Sequence, residues 1–385
     1  MRDNVFSLYL HIPYCDSKCP YCDFNSHAVK QWPEADYAAA LMAEMRFRSR
    51  QGPWRDGAVA TIFLGGGTPS LFAPATIAAL LHAVDELWPR RVGEREITLE
   101  ANPGTTTADK LRGYADAGVN RVSFGVQSFQ PDHLRRLGRI HGREQAIDAV
   151  RQARAAGFAN LNTDLIYAVP GQSLAEWEED LRTAVDLGPD HISAYNLTIE
   201  EGTAFATQRR QGLLAPLAEE IEVAMFTRTR EMLAAAGYAH YEISNYAPPG
   251  RECRHNLNYW RGGEYLGIGA GAHSFAQQPF PGRRWSNEMG PQAYIAAASA
   301  SGDATACAET LDTAQARGEF VFLALRCREG CDQDAFAARF GIELAAAFPH
   351  AESLRRDGLL EHEGPRWRLS ERGLLLADSV FATFV

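Results

Sequence analysis

The chain has 385 residues, 46% of them hydrophobic, and a formal net charge of −10. That length and apolar content support one large α/β domain with something smaller attached, and exclude global disorder. The acidic balance argues against sequence-independent nucleic-acid binding, and no apolar run approaches the roughly 18 residues of a membrane span, which leaves only peripheral membrane contact open.

In chain order, short β-branched or aromatic runs predict strands at Val5–Ile12, Val59–Leu64, Glu96–Ala101, Asn120–Gln127, Asn160–Tyr167 and His191–Thr198. Helical patterns such as "EADYAAALMAEMRFRSR", "IAALLHAVDELW" and "REQAIDAVRQARAAG" lie between them. Ser173 and Glu176 form a capping-box pattern before "LAEWEEDLRTAVDLG", and Gly118 and Gly157 stand where helices need a left-handed terminus. Strands separated by single helices cannot pair as hairpins, so the sheet should be parallel with right-handed crossovers. Six βα units fit either a doubly wound sheet or an incomplete (β/α) barrel, and in both the chemistry belongs at the C-terminal ends of the strands. The distinctive segments do follow the strands: "HIPYC", "GGGTPS", "EANPG" and "GVQSF" come after the first four in turn.

Residues 1–245 therefore read as the core. Residues 246–310 read as a loop-rich extension, because 246–284 is dense in Gly, Pro and Asn. From 311 to 385 short helices precede "GLLEHEGPRWRLSERG", a two-stranded wing, so a winged-helix-like module is expected there. Its DNA-binding form needs basic residues, yet from Asp312 onward there are nine Arg, no Lys and twelve Asp or Glu. A packing or lid role fits better.

The segment "MRDNVFSLYLHIPYC" has no apolar stretch followed by a small-residue cleavage site, and seven cysteines are an odd number for a disulfide framework. The expectation is a cytoplasmic protein with reduced, metal-binding cysteines. Three of them, Cys15, Cys19 and Cys22, fall within eight residues as C-x3-C-x2-C, and no other cysteine lies within two hundred residues. Thiolates suit iron–sulfur clusters or zinc. A Cys3His zinc site would recruit His11 or His27. A [4Fe–4S] cluster held by three thiolates would instead leave one iron open to an outside ligand.

C-x3-C-x2-C with Tyr21 before the third cysteine resembles the signature of the radical SAM superfamily. That resemblance implies an incomplete (β/α)6 radical SAM barrel, a [4Fe–4S] cluster on Cys15, Cys19 and Cys22, and S-adenosylmethionine (SAM) on the open iron. It further implies SAM contacts from Tyr9, Tyr21, Gly66, Gly67, Thr68, Glu100, Gln127, Arg139 and Asp164. The residue types are apt: an arginine for a carboxylate, acids for an amine and ribose hydroxyls, glycines for close backbone approach.

"YLHIPYC", "CPYCDFNSH", "FLGGGTPS", "EANPGT", "RVSFGVQSF", "LGRIHG" and "HNLNYW" together resemble the HemW-type heme chaperones, relatives of the oxygen-independent coproporphyrinogen III oxidases. The oxidase motif continues to a fourth cysteine where this chain has Phe24, which argues against radical decarboxylation. A radical SAM methyltransferase of the same branch is the other alternative. The chaperone resemblance implies heme as a further cofactor and an unidentified heme-acceptor protein as partner. It makes His255 and Tyr259 of "HNLNYW", with nearby Cys253, the candidate heme contacts. Cys327 and Cys331 of "CREGC" read as incidental.

Overall fold

The computed structural model describes residues 4–385; Met1–Asp3, which open the N-terminal segment read above, lie outside the described residues. Six parallel strands follow one another in chain order and pair side by side: β1 (Val5–Ile12), β2 (Ala58–Gly66), β3 (Glu96–Ala101), β4 (Arg121–Gln127), β5 (Leu161–Tyr167) and β6 (His191–Asn196). Their ends agree with the sequence reading to within two residues. Period-two alternation explains what each face carries. In β4, Val122, Phe124 and Val126 are fully buried in the apolar layer with Ala146 and Val150 of helix Arg143–Ala155. The alternate residues Arg121, Ser123, Gly125 and Gln127 turn the other way, into the barrel. The same rule sends Thr61 and Phe63, Glu96 and Glu100, Asn162 and Asp164, and His191 and Ser193 inward, so the barrel is polar inside and apolar outside.

Local chemistry fixes the crossovers. Ser173 Oγ accepts from the Glu176 backbone at 3.3 Å while Glu176 Oε2 accepts from the Ser173 backbone at 2.8 Å, closing the expected capping box on helix Leu174–Asp186. A cap of this kind contributes about 1 kcal/mol. Gly118 and Gly157 carry positive φ of 100° and 97° just past their helices.

The segment 246–284, expected as loop, is a correction. After a hairpin of β7 (Ala239–Glu242) and β8 (Asn245–Ala247) laid antiparallel on β6, the chain forms helix Arg254–Trp260 and then β9 (Tyr265–Ile268), which pairs parallel with β1. Strands β10 (His273–Ala276), β11 (Arg283–Asn287) and β12 (Thr305–Thr310) add antiparallel neighbours, giving a twelve-stranded sheet. Strands of four or five residues between Gly and Pro turns are too short to show alternation, which is why they read as loop. Leu266, Ile268, Trp285 and Tyr294 of this region belong to the same core as β1 to β6.

The sheet's two end strands, β7 and β12, do not pair with each other. Helix Arg254–Trp260 packs at the N-terminal end of the barrel, with His255 against Thr61 and its backbone on Glu96, the first residue of β3. Beyond it lies a second core of Val321, Leu325, Phe336, Trp367 and Phe381. It includes the expected wing: β14 (Leu360–Glu363) pairs with β15 (Arg366–Leu369), and β13 (Cys331–Asp332) completes a three-stranded sheet. Cys331 is fully buried in that core, as its incidental reading implies. The C-terminal unit attaches to β7 and the following turn: Arg328 N donates to the Tyr241 carbonyl at 2.9 Å and Ile243 N to the Arg326 carbonyl at 3.2 Å. Among the described residues no helix is long and apolar enough to cross a membrane.

Candidate cluster and cofactor site

The loop after β1 carries the three cysteines, and its base is pinned on every side. Tyr14–Cys15 pairs with His27–Ala28 as a short parallel ladder. His11 Nε2 lies 2.8 Å from the Asn25 carbonyl, and Lys18 Nζ donates to the carbonyls of Phe24 and Ser26 at 3.1 and 3.0 Å. Asn25 Nδ2 donates to the carbonyls of Ala270 and Met289, both at 3.0 Å, tying the loop to the far edge of the sheet.

The thiols line a cavity of about 390 Å3 at the C-terminal ends of the strands. Thr68 Oγ1 stands 3.4 Å from Cys15 Sγ, Arg139 Nη1 3.4 Å from Cys19 Sγ, and Ser26 Oγ 3.7 Å from Cys22 Sγ. Each sulfur thus has one donor beside it, which suits thiolates. Among the described residues no three His, Cys, Asp or Glu side chains are grouped to hold a single metal ion. A cubane cluster takes each thiolate on a different iron and so needs them spread. Of the two histidines a Cys3His zinc site could recruit, His11 has Nδ1 3.0 Å from the Tyr9 hydroxyl and Nε2 engaged with the Asn25 carbonyl, while His27 Nε2 lies 3.2 Å from Asn25 Oδ1.

Opposite the cysteines stand two carboxylates. Glu100 accepts from the Gly66 backbone at 3.1 Å; burial, then the nearby Asp164 charge, pushes its pKa up to about 7. Asp164 accepts from Ser123 Oγ at 3.0 Å and Asn162 Nδ2 at 2.8 Å, and burial raises its pKa too. Gln127 ends β4 with a positive φ of 69°, a strained conformation for a residue with a side chain. Its Oε1 and Arg139 Nε are buried without a partner. Gly125 makes room between them, since a Cβ there would lie 2.9 Å from Gln127 Nε2 and 3.3 Å from Arg139 Nη2. A strained glutamine and two orphaned polar atoms facing three thiols and two acids fit a bound zwitterion beside a cluster.

Cys15, Cys19, Cys22, Tyr21, Gly66, Gly67, Thr68, Glu100, Gln127, Arg139 and Asp164 all line this cavity. Tyr9 does not; it lies one layer deeper, between Phe63, His11 and His255. The glycines have a reason besides a ligand. Gly66 has φ 111° with its missing Cβ aimed at the His11 ring, and a Cβ on Gly67 would sit 2.6 Å from the Tyr14 carbonyl oxygen.

The heme candidates are not brought to the cavity. His255 is 1% exposed, with Nδ1 2.7 Å from Thr61 Oγ1 and Nε2 2.8 Å from the Tyr259 hydroxyl. Both ring nitrogens are used, and burial lowers its pKa to about 3. Cys253 is fully buried against Glu96, its thiol pushed up to about 12 by that burial. As placed, neither offers a free donor. Tyr259 instead lines a smaller cavity of about 130 Å3 with Tyr265, Phe275, Phe320 and Arg339. The sequence reading missed Ser123, Asn162 and His191, although β4, β5 and β6 show them at inward alternate positions.

Six βα units, a three-cysteine loop over the strand ends and a polar cavity beneath it define a radical SAM protein. The Radical SAM superfamily model matches residues 9–184, and the HemN C-terminal domain model matches residues 311–376. The chain is 39% identical to the heme chaperone HemW of Escherichia coli over 98% of both chains, and 34% identical to that of Bacillus subtilis over 98% of this chain and 99% of the relative. It is 32% identical to radical S-adenosyl methionine domain-containing protein 1, mitochondrial, of Danio rerio over 98% of this chain and 86% of that one. The chain belongs to the HemW heme chaperone family. The solved structure of coproporphyrinogen III oxidase (HemN) from Escherichia coli, a radical SAM enzyme, shares the fold with a TM-score of 0.84, at 24% identity over 98% of this chain and 89% of that one.

Proposed function

We propose that this protein is a heme chaperone: it binds heme and passes it to acceptor proteins while carrying a [4Fe–4S] cluster and exchangeable SAM. The observation that carries this reading is the likeness to proteins named heme chaperones along essentially the whole chain, the C-terminal unit included. A cytoplasmic location fits its reduced, clustered cysteines.

In this reading Cys15, Cys19 and Cys22 hold the cluster. When bound, a cluster with one open iron supplies a coordination site for the SAM amino and carboxylate groups and a source of one electron. The chain's own residues do the rest. Arg139, half-buried and wedged between Cys19 and Gly125, offers its guanidinium to a carboxylate. Glu100 is a carboxylate acceptor for an ammonium, and Asp164 one for ribose hydroxyls. Thr68 and the glycines Gly66 and Gly67 bring backbone close to the thiols. Tyr21 roofs the cavity beside Cys19, and Tyr9 supports the floor. The core is residues 1–245, residues 246–310 extend its sheet from β1, and residues 311–385 pack behind them.

Phe24, 64% exposed at the cavity's lip, occupies the position where the oxidase has a cysteine and offers a flat apolar face instead. Oxidase chemistry is therefore disfavoured. A ligating role for His255 or Cys253 requires helix Arg254–Trp260 to withdraw from Thr61 and Glu96; Tyr259 already faces a cavity. The test is a heme titration of the anaerobically reconstituted chain followed by gel filtration. One heme retained per chain, with its Soret band, is expected, and heme that separates completely from the protein would overturn the reading.

A further inference from the structure

A hydrogen-bonded column leads from the cofactor cavity through the barrel to the C-terminal unit, and its polarity follows bond by bond. Asn162 Nδ2 lies 2.8 Å from Asp164 Oδ1 and 2.7 Å from Ser123 Oγ, so the amide donates to both. Ser123 Oγ donates onward to Asp164 Oδ2 at 3.0 Å. With its nitrogen committed, Asn162 presents Oδ1 as an acceptor to His191 Nδ1, 2.7 Å away, and Nδ1 must carry the proton. His191 is 1% exposed, and burial, helped by the Arg121 charge, holds the ring neutral. A neutral ring protonated at Nδ1 accepts at Nε2, and the Tyr241 hydroxyl 2.8 Å away supplies that proton. The Tyr241 hydroxyl oxygen accepts from the backbone of Cys253 at 3.3 Å, at the head of helix Arg254–Trp260. The Tyr241 carbonyl accepts from Arg328 of the C-terminal unit at 2.9 Å.

From Tyr241 inward every side-chain donor in this column points toward Asp164, which with Ser123 faces the cavity. The column ends on an acceptor whose charge it sustains against burial. A ligand hydroxyl donating to Asp164 competes for the same oxygens and weakens the bonds from Ser123 and Asn162. In a low-dielectric interior such bonds polarise one another, so the change is felt along the chain of donors. Reversing the column would require Asn162 to flip and His191 to change tautomer together, which makes its response concerted.

We propose that Asn162, His191 and Tyr241 are positioning residues that align Asp164 for the cofactor and transmit its occupancy to helix Arg254–Trp260 and the C-terminal unit. The inference rests on the reading of Asp164 as a SAM contact. It gives the C-terminal unit a role in sensing the cofactor, although that unit contributes nothing to the cavity wall.

The experiment uses the full chain, anaerobically reconstituted. SAM affinity is measured by equilibrium dialysis, and amide hydrogen exchange is followed by mass spectrometry with and without saturating SAM. In the unmodified protein SAM is expected to change exchange at the amides of Cys253 and Arg328, which donate into the column from its far end. Tyr241→Phe removes one hydroxyl at little cost in packing. It should weaken SAM binding roughly 2- to 30-fold, the usual range for coupling residues that do not touch ligand, and abolish the exchange response at saturation. His191→Gln, which can still donate to Asn162 and accept from Tyr241, should keep most of the affinity and of the exchange response. A response that persists in Tyr241→Phe, or an unchanged SAM affinity there, would overturn the coupling. SAM bound to the unmodified protein without any response at Cys253 or Arg328 would overturn it as well. A reconstituted protein that binds no SAM at all would sink the cofactor reading itself, a distinguishable result.

Discussion

Replacing His255 by Ala should destabilise the barrel, and the size of the effect can be worked from the contacts. The Thr61 hydroxyl donates to Ser7 Oγ at 2.8 Å, so it accepts from His255 Nδ1 at 2.7 Å; Nε2 in turn accepts from the Tyr259 hydroxyl at 2.8 Å. Truncation strands the half-buried Tyr259 hydroxyl, at about 1–3 kcal/mol, and removes one bond accepted by Thr61, at about 0.5–1.5 kcal/mol. The vacated ring volume adds roughly 1–2 kcal/mol at about 24 cal/mol per Å3 of cavity. The loss is roughly 3–6 kcal/mol in all, a large share of the 5–15 kcal/mol typical of a folded domain. Urea unfolding followed by tryptophan fluorescence measures it, with His255→Gln as the variant that keeps a donor and an acceptor and should lose far less. A His255→Ala protein within about 1 kcal/mol of the parent would refute this role for the Thr61–His255–Tyr259 contacts.

The same residue sets a pH dependence. Its folded pKa near 3 lies below the ordinary value of 6.5, so the unfolded chain binds the extra proton and stability falls as pH drops below about 6.5. The parent should therefore lose about 1.4 kcal/mol per pH unit relative to His255→Gln between roughly pH 6 and 4, read from unfolding curves at each pH; parallel curves would contradict this. Glu100, raised to about 7, should make SAM affinity fall as pH drops through that value, and Glu100→Gln should flatten the profile in dialysis measurements. Gly67→Ala puts a Cβ 2.6 Å from the Tyr14 carbonyl oxygen and should cost about 1–3 kcal/mol at the base of the cysteine loop, seen as less iron retained per chain. Cys19→Ala should abolish the visible iron–sulfur absorbance after reconstitution.

The strands and the main cavity were legible because each rests on a local pattern. Apolar alternation marks β1 to β6, and the glycine and polar segments after them converge because parallel strands present all their C-terminal ends at one mouth. The segment after β6 was not legible. Strands β7 to β12 owe their pairing to the edges of β1 and β6, and helix Arg254–Trp260 rests on Thr61 and Glu96, all far away in sequence. His255 looked like a free imidazole because its partners Thr61 and Tyr259 become neighbours only when the barrel curls. Tyr9 looked like a wall of the cavity for the opposite reason: it stands only six residues before Cys15, yet alternation along β1 drops it a layer below. Asn162 and His191 were visible as polar inward positions, but nothing local says that they touch.

The most direct test of the central claim is mass spectrometry of the tetrapyrrole after anaerobic incubation. The reconstituted protein would receive SAM and a strong reductant, with coproporphyrinogen III in one tube and heme in another. The account predicts porphyrinogen of unchanged mass and heme that stays with the protein. Loss of carbon dioxide from the porphyrinogen propionates would make this chain an oxidase and contradict the account.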